Sequence, residues 1–512
     1  MESSPTDLIQ RARGRLLARL ATSAADLLMA APSKRRLGAL AWLLEHIAVT
    51  EVTRERARKI GWLVDSGHPF TAWLERIASE LTPLARRRWI GNVYVRQYFL
   101  AKVQRERFKQ THGFLPPYTI VVSPTGRCNY RCGGCWAAEY RGAADLPLEL
   151  FARAVREARD VMGIHWVTIS GGEPFLRRDL LQLFREFPDV FFLVYTNGSL
   201  ITEAMAARLA RLANVAPMIS VEGGEALTDA RRGEGAYRRA MAAMSALRAQ
   251  RVAFGFSATA TRDTADVIVS PEFVDDMIGR GALYGWYFHY CPIGRDPDAA
   301  QMPTPRQRSD MRHAIYRLRE TRPIFLIDFW NDGPEVGGCM AGGRGYLHVS
   351  AGGDIEPCAF VHLATDNLRD RSLTDALHSP FFSAIRDGIP YDGNEIRPCM
   401  IIDRPEVLRQ HHREHAPAST HPGADRYLTD PAIVEAIDAY ADEYRAIADG
   451  DWRKGRWMRV FPERPATGER MYQLAAADRM VARWTPRDRR VPAMVDRLAL
   501  ETEAGGSTRK RS

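Results

Sequence analysis

The sequence predicts an α/β protein built on a parallel sheet, and two observations predict it. Between residues 118 and 290, six short runs rich in β-branched and aromatic residues are separated by longer amphipathic runs. Units of this kind join through right-handed crossovers and form one parallel sheet. The segments that carry chemistry fall at the ends of the short runs, which is where β/α architectures place their active sites.

The chain begins with a helical extension, residues 1–115. Leu8, Leu16, Leu17, Leu20, Leu27 and Leu28 recur at helical spacing over 6–31, and Pro32-Ser33 breaks the pattern. Residues 36–62 read as one or two further amphipathic helices, ended by Gly67-His68-Pro69. Residues 70–110 are helical again and carry Arg86, Arg87 and Arg88 beside Trp89, Tyr94, Tyr98 and Phe99. The extension holds 20 Lys/Arg against 10 Asp/Glu, more than the whole chain's surplus of +9. Charge concentrated in this way suits an anionic partner or a peripheral membrane contact, or a plain solvated helical face. No nucleic acid partner is expected. The run from Leu37 to Val49 is too short to span a bilayer and contains Glu45 and His46. With no apolar signal sequence, a cytoplasmic protein is expected.

A linker, Gly113 to Pro117, leads into the core at 116–300. Strands are expected at Tyr118 to Val122, His165 to Ser170, Phe191 to Thr196, Pro217 to Val221, Val252 to Ala260 and Leu283 to Tyr290. Helices are expected near 148–162, 178–186, 202–212, 235–249 and 271–280. A polar helix at 303–322 opens a third unit, 301–415, whose compact part has short strands and many glycines. Residues 416–512 read as an Arg-rich helical segment, with a helix at 430–450 and a disordered tail.

Three of the seven cysteines, Cys128, Cys132 and Cys135, stand in a C-x3-C-x2-C run. Thiols this dense in a chain without a secretory signal point to metal rather than to disulfides. A [4Fe–4S] cluster has four irons, so three cysteines leave one iron open to a substrate. A closed zinc site wants a fourth ligand that this loop lacks. The later motifs are Ser170-Gly171-Gly172-Glu173-Pro174, Thr196-Asn197-Gly198 and Ser220-Val221-Glu222-Gly223.

The spacing and order of these motifs resemble the radical S-adenosylmethionine (radical SAM) superfamily over roughly residues 116–295. The resemblance implies a partial (β/α)6 barrel open on one side, with the helical extension before it and a small α+β auxiliary iron–sulfur domain after it. It also implies an enzyme whose open iron binds the methionine end of SAM. One electron then cleaves SAM, and a 5′-deoxyadenosyl radical takes hydrogen from a substrate C–H bond. By resemblance, Gly171, Gly172 and Glu173 receive the amino group of SAM, and Asn197, Ser220, Glu222 and Arg232 are further SAM contacts. The family's aromatic residue before the third cysteine is here Gly134, and Trp136 is the candidate to fill that space.

Cys339, Cys358 and Cys399 form a second group. Cys339 and Cys358 resemble the opening of a SPASM or twitch domain, shortened because the dense cysteine run that should follow is missing. One auxiliary [4Fe–4S] cluster is expected, with His348, His362 and Asp403 as candidate fourth ligands. Cys291 stands alone, near His289 and Tyr290, and reads as a core residue or a substrate contact. The expected partners are an external flavodoxin- or ferredoxin-like electron donor and a substrate. Peptide or protein and lipid or small-molecule substrates are equally open at this point. The competing function is a non-catalytic iron–sulfur protein for electron transfer or sensing.

Overall fold

A computed structural model describes residues 18–30, 33–47, 51–137 and 145–454. The start of the first expected helix and the expected C-terminal tail lie outside the described residues. The six core strands form where the apolar runs stand: β1 Thr119–Val122, β2 Trp166–Ile169, β3 Phe191–Thr196, β4 Val215–Ser220, β5 Gly255–Ala260 and β6 Tyr284–His289. All neighbouring pairs among them are parallel and follow chain order. β4 starts two residues before the expected Pro217, which it carries within the strand.

The sheet continues past both ends of this core. β7, Phe325–Asp328, adds parallel to β6, and β8, Tyr346–Val349, adds parallel to β1. β9, Asp354–Glu356, folds back on β8, and β11, Asp366–Asn367, pairs with β9. The result is one ten-stranded sheet with β7 and β11 at its ends. A two-residue pair, β10 Leu363–Ala364 with β12 Ala418–Ser419, lies apart from it. The segment that carries the second cysteine group therefore shares its sheet with the core.

The helix Pro305–Thr321 starts at a capping box in which Thr304 and Gln307 satisfy each other's backbone N–H. The last described helix, Pro431–Arg453, packs back on it.

The helical extension closes the base of the barrel. It comprises a helix over 18–29, then Lys34–Ile47, Glu51–Ser66, Pro69–Glu80, Pro83–Trp89, a π-helical stretch Ile90–Leu100 and Ala101–His112. Trp73, Leu74, Ile77, Trp89 and Val93 pack on Leu193, Ala216, Met218 and Tyr284 at the strand starts. Trp73 donates from Nε1 to the Leu283 carbonyl at 2.8 Å. Trp73→Phe is expected to leave that carbonyl with Phe325 N–H (3.2 Å) as its partner and to cost about 1 kcal/mol in urea unfolding, the net contribution of one hydrogen bond.

A few of the extension's arginines turn inward, while Arg19, Arg35, Arg36, Arg58, Arg87 and Arg107 are exposed. Arg86 pairs with Asp26 at 2.9 Å, Arg76 reaches the Ala282 and Pro323 carbonyls at 3.0 Å each, and Arg105 caps those of Pro116 and Pro117. These three tie the extension to its own protein, and the exposed arginines leave a basic face. Among the described residues, no helix is long and apolar enough to cross a membrane.

Candidate functional site

At the C-terminal ends of β1–β6 the sheet opens into a cavity of about 520 Å³. Cys128, Cys132 and Cys135 line it, together with Gly171, Gly172, Asn197, Ser220 and Arg232. The loop after β1 is fixed from several sides. Gly133 N–H donates to the Arg231 carbonyl at 2.9 Å, and Arg295 donates to the Cys132 carbonyl at 3.1 Å and, through its backbone N–H, to the Cys135 carbonyl at 3.1 Å. Tyr130 N–H points at Cys128 Sγ, 3.4 Å away.

Gly172 sits where this loop passes closest to β2, and its N–H donates to the Thr125 carbonyl at 2.9 Å. A Cβ at Gly172 would collide with the Arg127 carbonyl, so glycine is required for the loop to close over the strand end. Gly134 has φ of +57°, and a side chain there would run into the Tyr290 ring. Tyr290, from the end of β6, thus occupies the space that an aromatic residue 134 would need. Trp136 turns the other way, its ring 5.4 Å from Phe360 and 5.9 Å from each of His348 and His362. The expectation that Trp136 fills the slot of residue 134 is corrected accordingly.

The two motif carboxylates face inward. Glu173 is buried and accepts from Thr196 Oγ1 at 2.8 Å, Asn197 N–H at 2.8 Å and Phe175 N–H at 3.1 Å. It pins the end of β3 to the end of β2. Glu222 is also buried; Arg231 donates to it at 2.6 Å, Arg232 Nε at 2.8 Å and Thr259 N–H at 2.8 Å. The cavity wall at these motifs is therefore backbone, amide and hydroxyl, with Glu173 and Glu222 behind it and Arg232 already paired.

The two carboxylates titrate in opposite directions. Burial raises Glu173 to about 6, against its three hydrogen bonds. Burial also works on Glu222, but Arg232 and Arg231 outweigh it and hold that carboxyl below its usual range. A carboxyl raised from 4.5 to about 6 stabilises the fold most below pH 4.5 and loses that contribution as pH rises to 6. The change is about 2 kcal/mol across that window. Glu173→Gln is expected to flatten the pH dependence there, measured by urea unfolding at pH 4.5 and 6.5.

The thiols suit a cationic group. Burial pushes Cys128 up to about 11, and the charges of Glu173, Cys135 and Cys132 push the same way. Burial and Cys132 likewise raise Cys135. Thiols raised in this way ionise readily only beside positive charge, such as a metal ion supplies.

The second cysteine group forms beyond Trp136. Ala341 N–H points at Cys339 Sγ (3.5 Å), Phe360 N–H at Cys358 Sγ (3.5 Å) and Ile401 N–H at Cys399 Sγ (3.4 Å). This repeats the contact at Cys128, and N–H bonds to sulfur are a means of tuning iron–sulfur ligands. Tyr346 Oη lies 2.8 Å from Cys358 Sγ. Burial raises all three thiols, Cys358 up to about 12, and Cys339 raises both of the others.

The candidate fourth ligands have other partners. His348 lies between Ser123 Oγ (2.7 Å) and Glu356 (2.5 Å). His362 meets His421 at 2.9 Å and the Ala359 carbonyl at 3.1 Å. Asp403 forms a buried bidentate pair with Arg308 and accepts from Cys399 N–H at 2.9 Å. Cys291, which the sequence sets apart, comes within electrostatic reach of Cys358 and Cys399, which with burial push its thiol well up. No spacing in the sequence signals that approach.

Residues 122–258 match the family model of the radical SAM superfamily. The chain is 26% identical over 308 residues to the AdoMet-dependent heme synthase of Oleidesulfovibrio alaskensis, covering 54% of this chain and 78% of that protein. It is 27% identical over 266 residues to the PqqA peptide cyclase of Rhodopseudomonas palustris, covering 47% and 67%. A solved structure of Streptococcus suis SuiB bound to S-adenosylmethionine aligns with a TM-score of 0.47 and 19% identity, over 66% of this chain and 84% of that one.

The chain carries a radical SAM domain over residues 122–258. It is a radical SAM enzyme, and its cofactors are those of that superfamily, a [4Fe–4S] cluster and SAM.

Proposed function

We propose that the enzyme cleaves SAM reductively at a [4Fe–4S] cluster held by Cys128, Cys132 and Cys135, and abstracts hydrogen from a substrate C–H bond. When bound, that cluster supplies the electron that splits SAM into methionine and the 5′-deoxyadenosyl radical. The observation that carries this reading is convergence: three thiols, the bare backbone at Gly171 and Gly172, and the polar strand ends line one cavity.

Each of these groups has a task in it. Gly171 and Gly172 let the backbone approach the amino group of SAM. Asn197 and Ser220 offer an amide and a hydroxyl to its polar end. Glu222 fixes Arg231 and Arg232, and Glu173 fixes Asn197; these residues hold the wall in shape. Tyr290 and the aromatic residues beyond it keep water from the reacting end.

Cys339, Cys358 and Cys399 hold an auxiliary [4Fe–4S] cluster in this reading. Cys291 is its fourth ligand, since His348, His362 and Asp403 are engaged elsewhere. An external one-electron donor of the flavodoxin or ferredoxin type completes the system.

The test is SAM cleavage by anaerobically reconstituted, dithionite-reduced protein, with iron measured on the same sample. Formation of 5′-deoxyadenosine with about eight irons per chain, from two four-iron clusters, is expected. Cleavage with about four irons would make the second cysteine group structural. A full iron complement without cleavage would leave an electron-transfer or sensor protein.

A further inference from the structure

The cavity has two different ends. Hydroxyl and amide groups gather near the first cysteine group, at Ser170, Asn197, Ser220 and Thr259. Away from them the wall is mostly aromatic, with Thr119, Thr168 and Ser257 among the rings. Tyr195 on β3 meets Trp286 and Phe288 on β6, with ring centroids 6.0 and 5.3 Å apart. Phe288 then meets Phe329 at 5.7 Å and Phe360 at 6.1 Å, and Phe360 meets Trp136 at 5.4 Å. These rings all line the cavity and run from the middle of the barrel toward Cys358. Alternate residues of a strand face the same way, so Trp286 and Phe288 present two successive rings. Trp166 and Ile327 line the deep end, and the helical extension seals the base beneath with Trp73 stacked 5.6 Å from Phe325.

Most charges in the lining are already answered. Arg127 pairs with Asp145, Arg231 and Arg232 pair with Glu222, Asp332 pairs with Arg319, and His289 lies 3.3 Å from Asp328. Arg295, beside the first cysteine group, donates to the Cys132 carbonyl and has no carboxylate partner among the described residues. An occupant with several carboxylates would have to break these pairs. A peptide backbone would bring an N–H and a C=O per residue to a wall of rings. Tyr195 Oη and Trp286 Nε1 are buried in that wall without a hydrogen-bond partner, and an oxygen on the occupant would satisfy them.

We propose that this aromatic chamber binds the hydrocarbon chain of an uncharged lipid, and that this lipid is the substrate of the enzyme. The proposal rests on the reading of the site given above and names its substrate class. Burial of each methylene against such a wall contributes about 0.8 kcal/mol, so a long chain binds without any charged contact.

The experiment is photolabelling of the reconstituted holoenzyme, in the presence of SAM, with a long-chain alcohol bearing a diazirine. Adducts are expected in peptides that carry Tyr195, Trp286 or Phe329, and excess octadecanol is expected to suppress them. Ile327→Trp, which fills the deep end, is expected to weaken binding about tenfold, the displacement of roughly two methylenes. Adducts confined to the outer surface, or labelling that octadecanol does not reduce, would overturn the proposal; that readout needs no variant. The SAM-induced change in the EPR spectrum of the same sample separates the two readings. With that change present and no chamber adducts, the lipid proposal alone fails. With that change absent, the SAM reading fails and takes this proposal with it.

Discussion

Replacing Cys128, Cys132 or Cys135 by alanine is expected to abolish formation of 5′-deoxyadenosine and to lower bound iron from about eight to about four per chain. The reasoning is local. The backbone of the loop that carries these thiols is held by Arg231, Arg295, Gly172 and Glu173, through contacts none of which involves a thiol. The loop should therefore keep its path while losing its cluster, and near-native unfolding behaviour is expected alongside the loss of activity. Replacing Cys339, Cys358 or Cys399 is expected to remove a similar amount of iron but to leave the response of the first cluster to SAM. Equal loss of that response from both groups would mean that the two sets of cysteines do not serve separate clusters. The comparison is made by iron analysis and EPR on matched samples.

The second large effect is expected at Arg308, which is fully buried and pairs with the equally buried Asp403. Its Nε donates to Asn331 at 3.2 Å, and its guanidinium lies 3.9 Å from the Tyr444 ring centroid. Asp403 in turn receives Cys399 N–H. Arg308→Met would leave a buried carboxylate uncompensated beside the second cysteine group. A loss of about 3–5 kcal/mol is expected in urea unfolding, since removing one partner strands the other charge. The double variant with Asp403→Leu should recover much of that loss, because the stranded charge goes too. A single variant as stable as the parent would show that the pair contributes little to this part of the fold.

Much of this was legible in the sequence, for physical reasons. Six β-then-α units show as alternating patterns because each strand is short, apolar and followed by an amphipathic helix. The thiols and the glycines at 171–172 show because a metal loop and a close backbone approach each restrict which residues can stand there.

What was not legible depends on contacts between distant segments. β8 pairs with β1 although Tyr346 and Thr119 are far apart in the chain, and nothing in either run specifies the other. The apparent gap at Gly134 is filled by Tyr290, which arrives from the end of β6. Cys291 looked solitary because its neighbours Cys358 and Cys399 come from segments folded onto it much later in the chain. Glu173 and Glu222 looked like cofactor contacts because their motifs sit at strand ends. Only the fold shows their carboxylates turned inward to backbone N–H groups and arginines.

In the proposed function the three thiols of the first loop hold a cluster whose open iron binds SAM. The most direct measurement is the EPR spectrum of the reduced, reconstituted enzyme recorded with and without SAM. A clear change in the signal is expected on adding SAM, retained when Cys339, Cys358 and Cys399 are replaced and lost when Cys128 is replaced. A spectrum that SAM leaves unaltered in the fully loaded enzyme would contradict the proposed function.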